Sequence, residues 1–482
     1  MMKPDFSPPA RDGQVPKVAW MPDFRPPAPY GSTRLPRFPG WAAALGPGIV
    51  WLALAQGSGE LIWWPYLCAK YGLGFLFLLT PACLLQYSVS YEVGRYSAMT
   101  GESIWRGFVR LNPVFGFVLW ILMTLSFLWF GAFASAGGTA MAQLLNWPHL
   151  DDRGRSLFWA CLTILIFSFA LLTQKRTYAM IEKVMWAVAV VTLFGLVVSC
   201  SSSELRGQWP QFLHAMVRPQ PLARPWDPAD ADRLLTAITF AGLGGFWILF
   251  YSYWILGKGV ACAKDPAEAG KVPVDAEGSM RDGSRTWKRF LFVDVGIGLV
   301  GNILTTYMTC FLAYAILFPQ GILPTEWRLA AEQCRFFEIA WGGFGRGLFL
   351  VVCAAFLCDT WLTTADGVAR VHIEMIRFYF FRNSALDETK SYRAMILLLT
   401  AVTGMTMFLN QPGRLIVLSA IIGFVGTVVF TIALIVLVHG RLKPALPEPL
   451  KPGKVSLVFL CISALAYALL AAAYIKIKFW GG

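Results

Sequence analysis

Residues 41–72 read WAAALGPGIVWLALAQGSGELIWWPYLCAKYG, an apolar stretch that Gly57 and Gly59 interrupt near its middle, beside Glu60. About 20 apolar residues are enough for a helix to cross a bilayer, so this stretch is long enough to span. A glycine inside a helix costs roughly 1 kcal/mol relative to alanine, and an ionisable side chain at membrane depth costs several more. The pattern therefore predicts a transmembrane helix that is broken around a polar site.

The composition is that of a polytopic membrane protein, with the lipid bilayer as its surroundings. Of the 482 residues, 56% are hydrophobic and 14% are charged, whereas soluble domains carry about 25% charged residues. The net charge of +13 comes from lysines and arginines in short connections, with no long basic stretch interleaved with aromatics, so we expect no nucleic-acid partner. The ten cysteines form no CxxC pair, so the sequence predicts neither a disulfide framework, a zinc site nor a cofactor.

Hydropathy predicts an all-α protein with about eleven transmembrane helices. The predicted spans cover residues 42–68, 74–98, 114–145, 156–174, 180–202, 233–257, 289–318, 346–377, 393–409, 413–439 and 455–478. With a cytoplasmic N-terminus, the inside segments hold 27 lysines and arginines and the outside segments 13. That asymmetry predicts a multi-pass plasma-membrane protein whose N-terminus is cytoplasmic. Residues 1–40 are expected to form a disordered cytoplasmic tail, and residues 41–482 a single transmembrane transporter domain.

The sixth span repeats the peculiarity of the first, because Gly242, Gly244 and Gly245 lie near its middle. Two glycine-interrupted spans, five spans apart, are typical of transporters built from inverted repeats. The first repeat would cover about 41–202, the second about 233–439, and an extra helix about 455–478. A binding site is then expected between the two breaks.

Several short motifs resemble the Nramp family of divalent-metal transporters. They are GPG at 46–48, AKYG at 69–72, LLQY at 84–87 and LS at 418–419. The resemblance covers most of the membrane domain and is strongest in spans 1 and 2, so the chain is identified as a divergent member. It implies the LeuT-type fold, a 5+5 inverted repeat with broken helices 1 and 6.

The resemblance also implies where the family's ligands would fall. Its Asp-Pro-Gly-Asn motif falls on residues 57–60, which leaves Glu60 as a carboxylate where the family has asparagine. The sixth-span Met-Pro-His falls on residues 244–246 and the tenth-span glutamine on Ala420, so the sulfur and amide ligands are replaced. Spans 3 and 9 lack the ionisable residues of the family's proton path.

Glu60 is the first candidate for substrate binding, and three interpretations remain open. Its carboxylate can bind a hard cation together with neighbouring oxygens, since oxygen ligands suit Mg, Ca or Mn. It can instead offset the dipole of the outer half-helix, or carry a proton. The candidate substrate-binding residues are Gln56, Gly57, Ser58, Gly59, Glu60, Gly242, Gly244 and Gly245, with Glu60 as the candidate metal ligand.

Span 8 carries Asp359, Thr363, Asp366, Arg370 and Glu374 at spacings that place all five on one helical face. Asp366 and Arg370, four residues apart, are predicted to form an internal ion pair. Asp359 lies deeper. Asp359 and Asp366 are candidates for a second ligand or a proton-relay acid.

Span 7 carries Asp294 and Asn302, eight residues apart on one face. They are candidates for a second ligand or a relay group and for lining an aqueous path, although Asp294 can equally mark the interfacial start of its helix. In span 2, Glu92 and Arg95 are predicted to form a structural pair.

Two transport functions remain open. The first is alternating-access transport of a divalent metal cation of the Mn, Fe or Mg class, an inorganic cation substrate. The second is ion-coupled symport of a small organic solute. An intramembrane enzyme would need a nucleophile, a metal motif or a carboxylate dyad at recognisable spacing, and the sequence offers none, so we do not expect an enzyme. The sequence predicts no oligomeric state.

Overall fold

The structure is a computed structural model that describes residues 38–57, 59–173, 177–263, 277–324, 326–381, 387–446, 448 and 451–480. Within these residues every regular element is helical and no strand is present. The predicted all-α class is therefore confirmed. Most of the predicted tail, residues 1–37, lies outside the described residues, and its disorder stays a prediction.

Nineteen α-helices are assigned in this described part of the chain. They are α1 Trp41–Ala44, α2 Pro47–Ala55, α3 Trp64–Tyr71, α4 Leu79–Thr100, α5 Ile104–Leu111, α6 Pro113–Phe127, α7 Gly131–Leu145, α8 Asp152–Thr173, α9 Thr177–Cys200, α10 Trp209–Val217, α11 Ala231–Thr239, α12 Trp247–Lys258, α13 Glu277–Leu312, α14 Leu329–Gln333, α15 Arg335–Tyr379, α16 Glu388–Thr406, α17 Pro412–Ile435, α18 Lys443–Ala445 and α19 Lys454–Trp480.

Seven helical stretches of the described residues are long and apolar enough to cross a membrane without interruption, and they coincide with predicted spans 3, 4, 5, 7, 8, 10 and 11. The other four predicted spans are also helical, but each has a feature that interrupts the helix or lowers its hydropathy. Spans 1 and 6 are broken into half-helices, α4 of span 2 carries Gln86, Glu92 and Arg95, and α16 of span 9 begins with a charged turn.

The first span consists of α2, a π-helical turn over Gly59–Trp63, and α3. The sixth consists of α11, an irregular segment, and α12. In that segment Gly242, Gly244 and Gly245 have φ values of +124°, +65° and +49°. L-residues with a Cβ rarely adopt these conformations, so the glycines allow the chain to leave the helix here.

The GPG motif explains how closely α2 packs on the seventh span. A Cβ placed at Gly48 would lie 2.0 Å from the main-chain oxygen of Asp294 in α13, so only glycine allows this approach. In α4, the Arg95 Nε donates to Glu92 Oε2 over 2.7 Å, and both side chains are buried. This confirms the predicted pair. Ser456 of α19 donates to the other Glu92 oxygen, which attaches the eleventh span to the second.

Two helix boundaries differ from those predicted. Helix α13 begins at Glu277 rather than near 289, so Asp294 lies well inside the helix and not at its start. Helix α15 begins at Arg335, eleven residues before the predicted span 8, and bends where Gly342 has φ +57°. Hydropathy underestimates both helices because their first turns are polar or glycine-rich.

Candidate functional site

The structure brings the two breaks into direct contact. A Cβ at Gly59 would lie 2.3 Å from the carbonyl oxygen of Phe240, which is at the end of α11. The Glu60 Oε1 accepts a hydrogen bond of 3.0 Å from the Gly242 main-chain N–H. The Glu60 carboxylate therefore bridges the first and sixth spans at the point where neither is a regular helix.

Glu60 is 2% exposed, and its second oxygen, Oε2, has no hydrogen-bond partner among the described residues. Its carbonyl oxygen accepts from Thr309 Oγ1 over 2.8 Å, and the amide of Asn302 lies beside its carboxylate. Both partners belong to α13, so the seventh span forms a third wall of the site. Ser58, the neighbouring candidate, lies outside the described residues.

Two further acceptor oxygens of the first and seventh spans have no donor in the described part of the chain. They are Gln56 Oε1 and Asn302 Oδ1. Gln56 uses its amide nitrogen to donate to Thr305 Oγ1 over 3.2 Å, and both Gln56 and Asn302 are buried. Buried polar atoms are nearly always paired with protein, water or an ion. Together with Glu60 Oε2 they make three unsatisfied oxygens at the first break and the α13 face beside it.

The break in the sixth span is closed by a residue that sequence reasoning did not assign to the site, Gln86 of α4. Its Nε2 donates to Thr239 O over 2.9 Å, and its Oε1 accepts from Gly244 N over 3.0 Å. Gln86 thereby satisfies backbone groups on both sides of the break. The available signal was a glutamine within an apolar span, in the LLQY motif that carried the family resemblance.

The space between the breaks is small in this conformation, with a cavity of about 10 Å³. That is roughly the room for a single water molecule. Its walls are mostly apolar: Leu54, Ala55, Phe133, Phe240, Gly242, Leu243, Trp247 and Thr360. The structure is therefore closed around the breaks.

Two larger cavities lie at opposite ends of the sixth span. The first, of about 610 Å³, is lined by the start of α11 and the start of α17 and is called here the Arg414 cavity. The second, of about 780 Å³, is lined by the ends of α12 and α15 and is called the Glu374 cavity. Glu60 lines neither cavity, so the protein separates the two ends at the level of the breaks.

Asp359 of α15 is 1% exposed, and neither carboxylate oxygen has a hydrogen-bond partner within the described residues. The next residue, Thr360, packs against the first break, since a Cβ at Gly57 would lie 2.3 Å from Thr360 Oγ1. Asp359 thus lies one residue from the contact between span 8 and span 1. Its role as a second ligand or relay acid stays a prediction.

The predicted Asp366–Arg370 ion pair is present, with Arg370 Nε 2.9 Å from Asp366 Oδ2. The other Asp366 oxygen accepts from Tyr392 OH over 2.7 Å, so both oxygens are engaged in this conformation. One further turn along, Glu374 accepts from Ser103, Arg106 and Tyr253, and so ties α15 to α5 and α12.

Asp294 and Asn302 have different surroundings, although they share a helix. Asp294 accepts from Tyr251 OH over 2.7 Å and lies against Gly48, well before the break in span 1. Only Asn302 lies beside Glu60. The structure therefore brings Gln56, Glu60 and Asn302 to one site and places Asp294 apart from them.

The positions where the resemblance expects soft or amide ligands are used for packing. A Cβ at Gly245 would lie 3.2 Å from Gly423 Cα, so α17 packs closely on the sixth-span break, and Ala420 is fully buried. No three His, Cys, Asp or Glu side chains in the described ranges are arranged to hold a metal ion together. A cation at the breaks would rely on one carboxylate with neutral oxygens.

The half-helices α3 and α11 are also joined at the end that bears Asp230. This buried carboxylate accepts from Lys70 over 2.6 Å, from Tyr71 over 2.6 Å, from Tyr66 over 3.2 Å and from Arg233. Burial opposes its ionisation, but hydrogen bonds from Lys70, Tyr71 and Arg233 outweigh that effect and lower the pKa of Asp230. The two half-helices are thus held together by a charged cluster.

Comparison with known proteins establishes the fold and leaves the family open. No family model matches the chain. An uncharacterized protein of Pasteurella multocida (strain Pm70) is 22% identical over 418 residues, covering 80% of this chain and 83% of that protein. Among solved structures, the manganese transporter of Eremococcus coleocola, in complex with an aromatic bis-isothiourea compound, has a TM-score of 0.61 at 14% identity, covering 93% of this chain and 97% of that one.

A second solved structure, MhsT in complex with L-phenylalanine, has a TM-score of 0.54 at 12% identity, covering 90% of this chain and 98% of that one. Likeness at this identity shows the fold. The chain is a multi-pass membrane protein of the LeuT-type fold, as predicted. The two structures differ in their bound molecules, so the substrate has to be argued from the site.

Proposed function

We propose that this protein is a secondary transporter that moves a divalent metal cation of the Mn, Fe or Mg class across the plasma membrane by alternating access. Glu60 would be the charged ligand. Gln56, Asn302 and backbone carbonyls at the two breaks would supply neutral oxygens. Hard divalent cations favour such oxygen ligands, often completed by water.

The observation that carries this proposal is the set of three buried oxygens without donors, Gln56 Oε1, Glu60 Oε2 and Asn302 Oδ1. An unpaired acceptor in a buried site costs free energy, on the order of 1–3 kcal/mol each. A bound cation removes that cost. The likeness in fold to a manganese transporter also supports the proposal.

Alternating access is supported by the closed cavity between two larger ones. In transporters with two broken helices, the repeats rock around a fixed site at the middle of the membrane. The charged clusters at Asp230 and Glu374 would then hold opposite ends of the pathway. With a cytoplasmic N-terminus, the Asp230 end is outside.

A second candidate, ion-coupled symport of a small organic solute, is favoured by the walls of the central cavity. Phe133, Phe240 and Trp247 give it an aromatic lining, which suits an apolar body more than a hydrated ion. In this case an amine or a proton would occupy Glu60. The likeness in fold to a transporter that holds L-phenylalanine supports the same candidate.

The test is uptake into proteoliposomes loaded with a metal-sensitive dye, scanning Mg, Ca, Mn, Fe, Co and Ni. Wild type should take up at least one ion, and Glu60→Gln should abolish uptake because it keeps the shape of the side chain and removes its charge. Glu204→Gln, at an exposed position of the 203–208 helical turn, is the matched control and should transport normally.

Two results would contradict the metal proposal. If uptake survives in Glu60→Gln, Glu60 is not the charged ligand of the transported cation. If folded wild-type protein takes up none of the ions, the second candidate is favoured. It is then tested by solid-supported membrane currents with amino acids and amines, which Glu60→Gln should also suppress.

A further inference from the structure

Of the two large cavities, the Arg414 cavity is the one that adjoins the first break, because Ile62 and Trp63 of the π-helical turn line it. Its volume of about 610 Å³ is in the range of small-molecule sites. It opens at the end of the molecule that bears Asp230. A solute that enters from this end meets it before the breaks.

The charge that the cavity offers to a ligand is positive. Arg414 is exposed and has neither a hydrogen-bond nor an ion-pair partner among the described residues. Asp232, the acid of this lining, has both oxygens engaged, with Tyr474 OH and Lys478 Nζ each at 2.7 Å. The second guanidinium, Arg233, uses Nη1 for its bonds to Asp230 and Tyr66 and remains 37% exposed.

A buried indole and a helix N-terminus lie beside the same cavity. Trp63 is 6% exposed, and its indole N–H has no acceptor in the described part of the chain. Helix α17 begins here with Pro412, and its N-terminal residue Gln411 makes no side-chain cap, so the first N–H groups of the helix add a positive end. The remaining lining is apolar, with Leu329, Val417 and Ile421 among its members.

We propose that the Arg414 cavity is a binding site for an organic carboxylate with an apolar body. The carboxylate pairs with the Arg414 guanidinium, and the apolar part packs on the aliphatic and indole surfaces. Guanidinium groups recognise carboxylates with paired, charge-assisted hydrogen bonds.

The site also bears on the substrate. An organic carboxylate is one kind of small organic solute, the substrate class of the second candidate function, and only this transport role rests on that function. The binding of the carboxylate does not rest on that function, so binding is measured in nanodiscs, where no transport takes place.

The experiment is isothermal titration calorimetry on the full chain in phosphatidylcholine nanodiscs, with phenylacetate as the probe and phenylacetamide as its neutral match. Wild type should bind phenylacetate and not phenylacetamide. Arg414→Gln should weaken binding about tenfold or more, as expected for losing a hydrogen bond to a charged group. Arg414→Lys should retain part of the affinity, because it keeps the charge and loses the paired geometry.

Arg393→Gln, an exposed arginine at the Glu374 cavity, is the control and should bind like wild type. Equal affinity for both probes, no phenylacetate binding to folded wild type, or unchanged binding in Arg414→Gln would each overturn the proposal. Nanodiscs containing phosphatidylglycerol distinguish the other source of an anion. If phosphatidylglycerol abolishes the Arg414-dependent binding of phenylacetate, the cavity takes a lipid headgroup and the proposal is overturned.

Discussion

The two broken spans use the same device, a helix opened at glycines, but their exposed polar groups are treated differently. In the sixth span, Gln86 binds Thr239 O and Gly244 N, and Glu60 accepts from Gly242 N. At the first span, Gln56 Oε1 and the second Glu60 oxygen, Oε2, have no donor among the described residues. One break is therefore closed by protein groups and the other retains binding capacity.

Under the proposed function, this difference would divide the roles between the two breaks. The sixth-span break supplies a fixed backbone wall, because an amide side chain holds its shape from the second span. The first-span break supplies the charge and the open oxygens. In the family that the sequence resembles, both breaks would supply ligand side chains, whereas here Gly244 and Gly245 leave the sixth with backbone alone.

The largest effect is expected where the breaks touch, at Gly59. Gly59→Leu should prevent folding, because even a Cβ would lie 2.3 Å from the Phe240 carbonyl and the backbone there has little freedom to shift. The yield of monodisperse protein on size-exclusion chromatography measures this. Gly347→Leu is the control, because a Cβ at Gly347 meets nothing within 4 Å, and it should give wild-type yield. A normal yield of Gly59→Leu would contradict the close contact between the two spans at Gly59.

The next effect tests whether the sixth-span break is held by Gln86. Gln86→Ala leaves a buried carbonyl and a buried N–H unpaired, each worth about 1–3 kcal/mol, so we expect a clear fall in melting temperature. Gln143→Ala, an exposed glutamine in α7, should change little. Equal melting temperatures for the two variants would show that Gln86 does not hold the break.

The sequence predicted the fold well because its signals are local. Span lengths follow from hydropathy, and the breaks follow from Gly57, Gly59 and the glycines of the sixth span. The Asp366–Arg370 and Glu92–Arg95 pairs also followed from helical spacing, and both are present.

The site was predictable only in part, because its remaining contacts join residues far apart in the chain. Gln86 meets a carbonyl 153 positions away, and Asn302 lies beside Glu60 through packing of the seventh span on the first. No spacing rule distinguishes Asn302, at the break, from Asp294, on the same face and paired with Tyr251. The Arg414 cavity likewise joins the starts of α11 and α17, which sequence alone does not bring together.

A smaller effect tests whether the half-helices α3 and α11 of the two broken spans are one unit. Asp230→Asn removes the charge that holds Lys70 and Arg233, and should cost about 1–3 kcal/mol near neutral pH. The folded pKa of Asp230 is lowered, so its contribution exists above the pKa of the unfolded chain, about 4, and is lost as the pH falls through the folded value. The difference in melting temperature between wild type and variant should therefore shrink in acid. Asp152→Asn, at an exposed carboxylate that pairs with Arg155, should show little difference at either pH. A pH-independent difference for Asp230→Asn would contradict the charged cluster.

The smallest effect concerns the carbonyl of Glu60, which accepts a hydrogen bond from Thr309 of the seventh span. Thr309→Val keeps the shape of the side chain and removes the 2.8 Å bond to Glu60 O, so we expect a loss of about 1 kcal/mol in the free energy of unfolding. Thr192→Val is the matched control, since Thr192 is also buried but bonds only within its own helix, to Val188 O. Chemical denaturation of both variants in detergent measures the difference. If Thr309→Val is no less stable than Thr192→Val, the hydrogen bond from the seventh span to Glu60 O does not stabilise the first break.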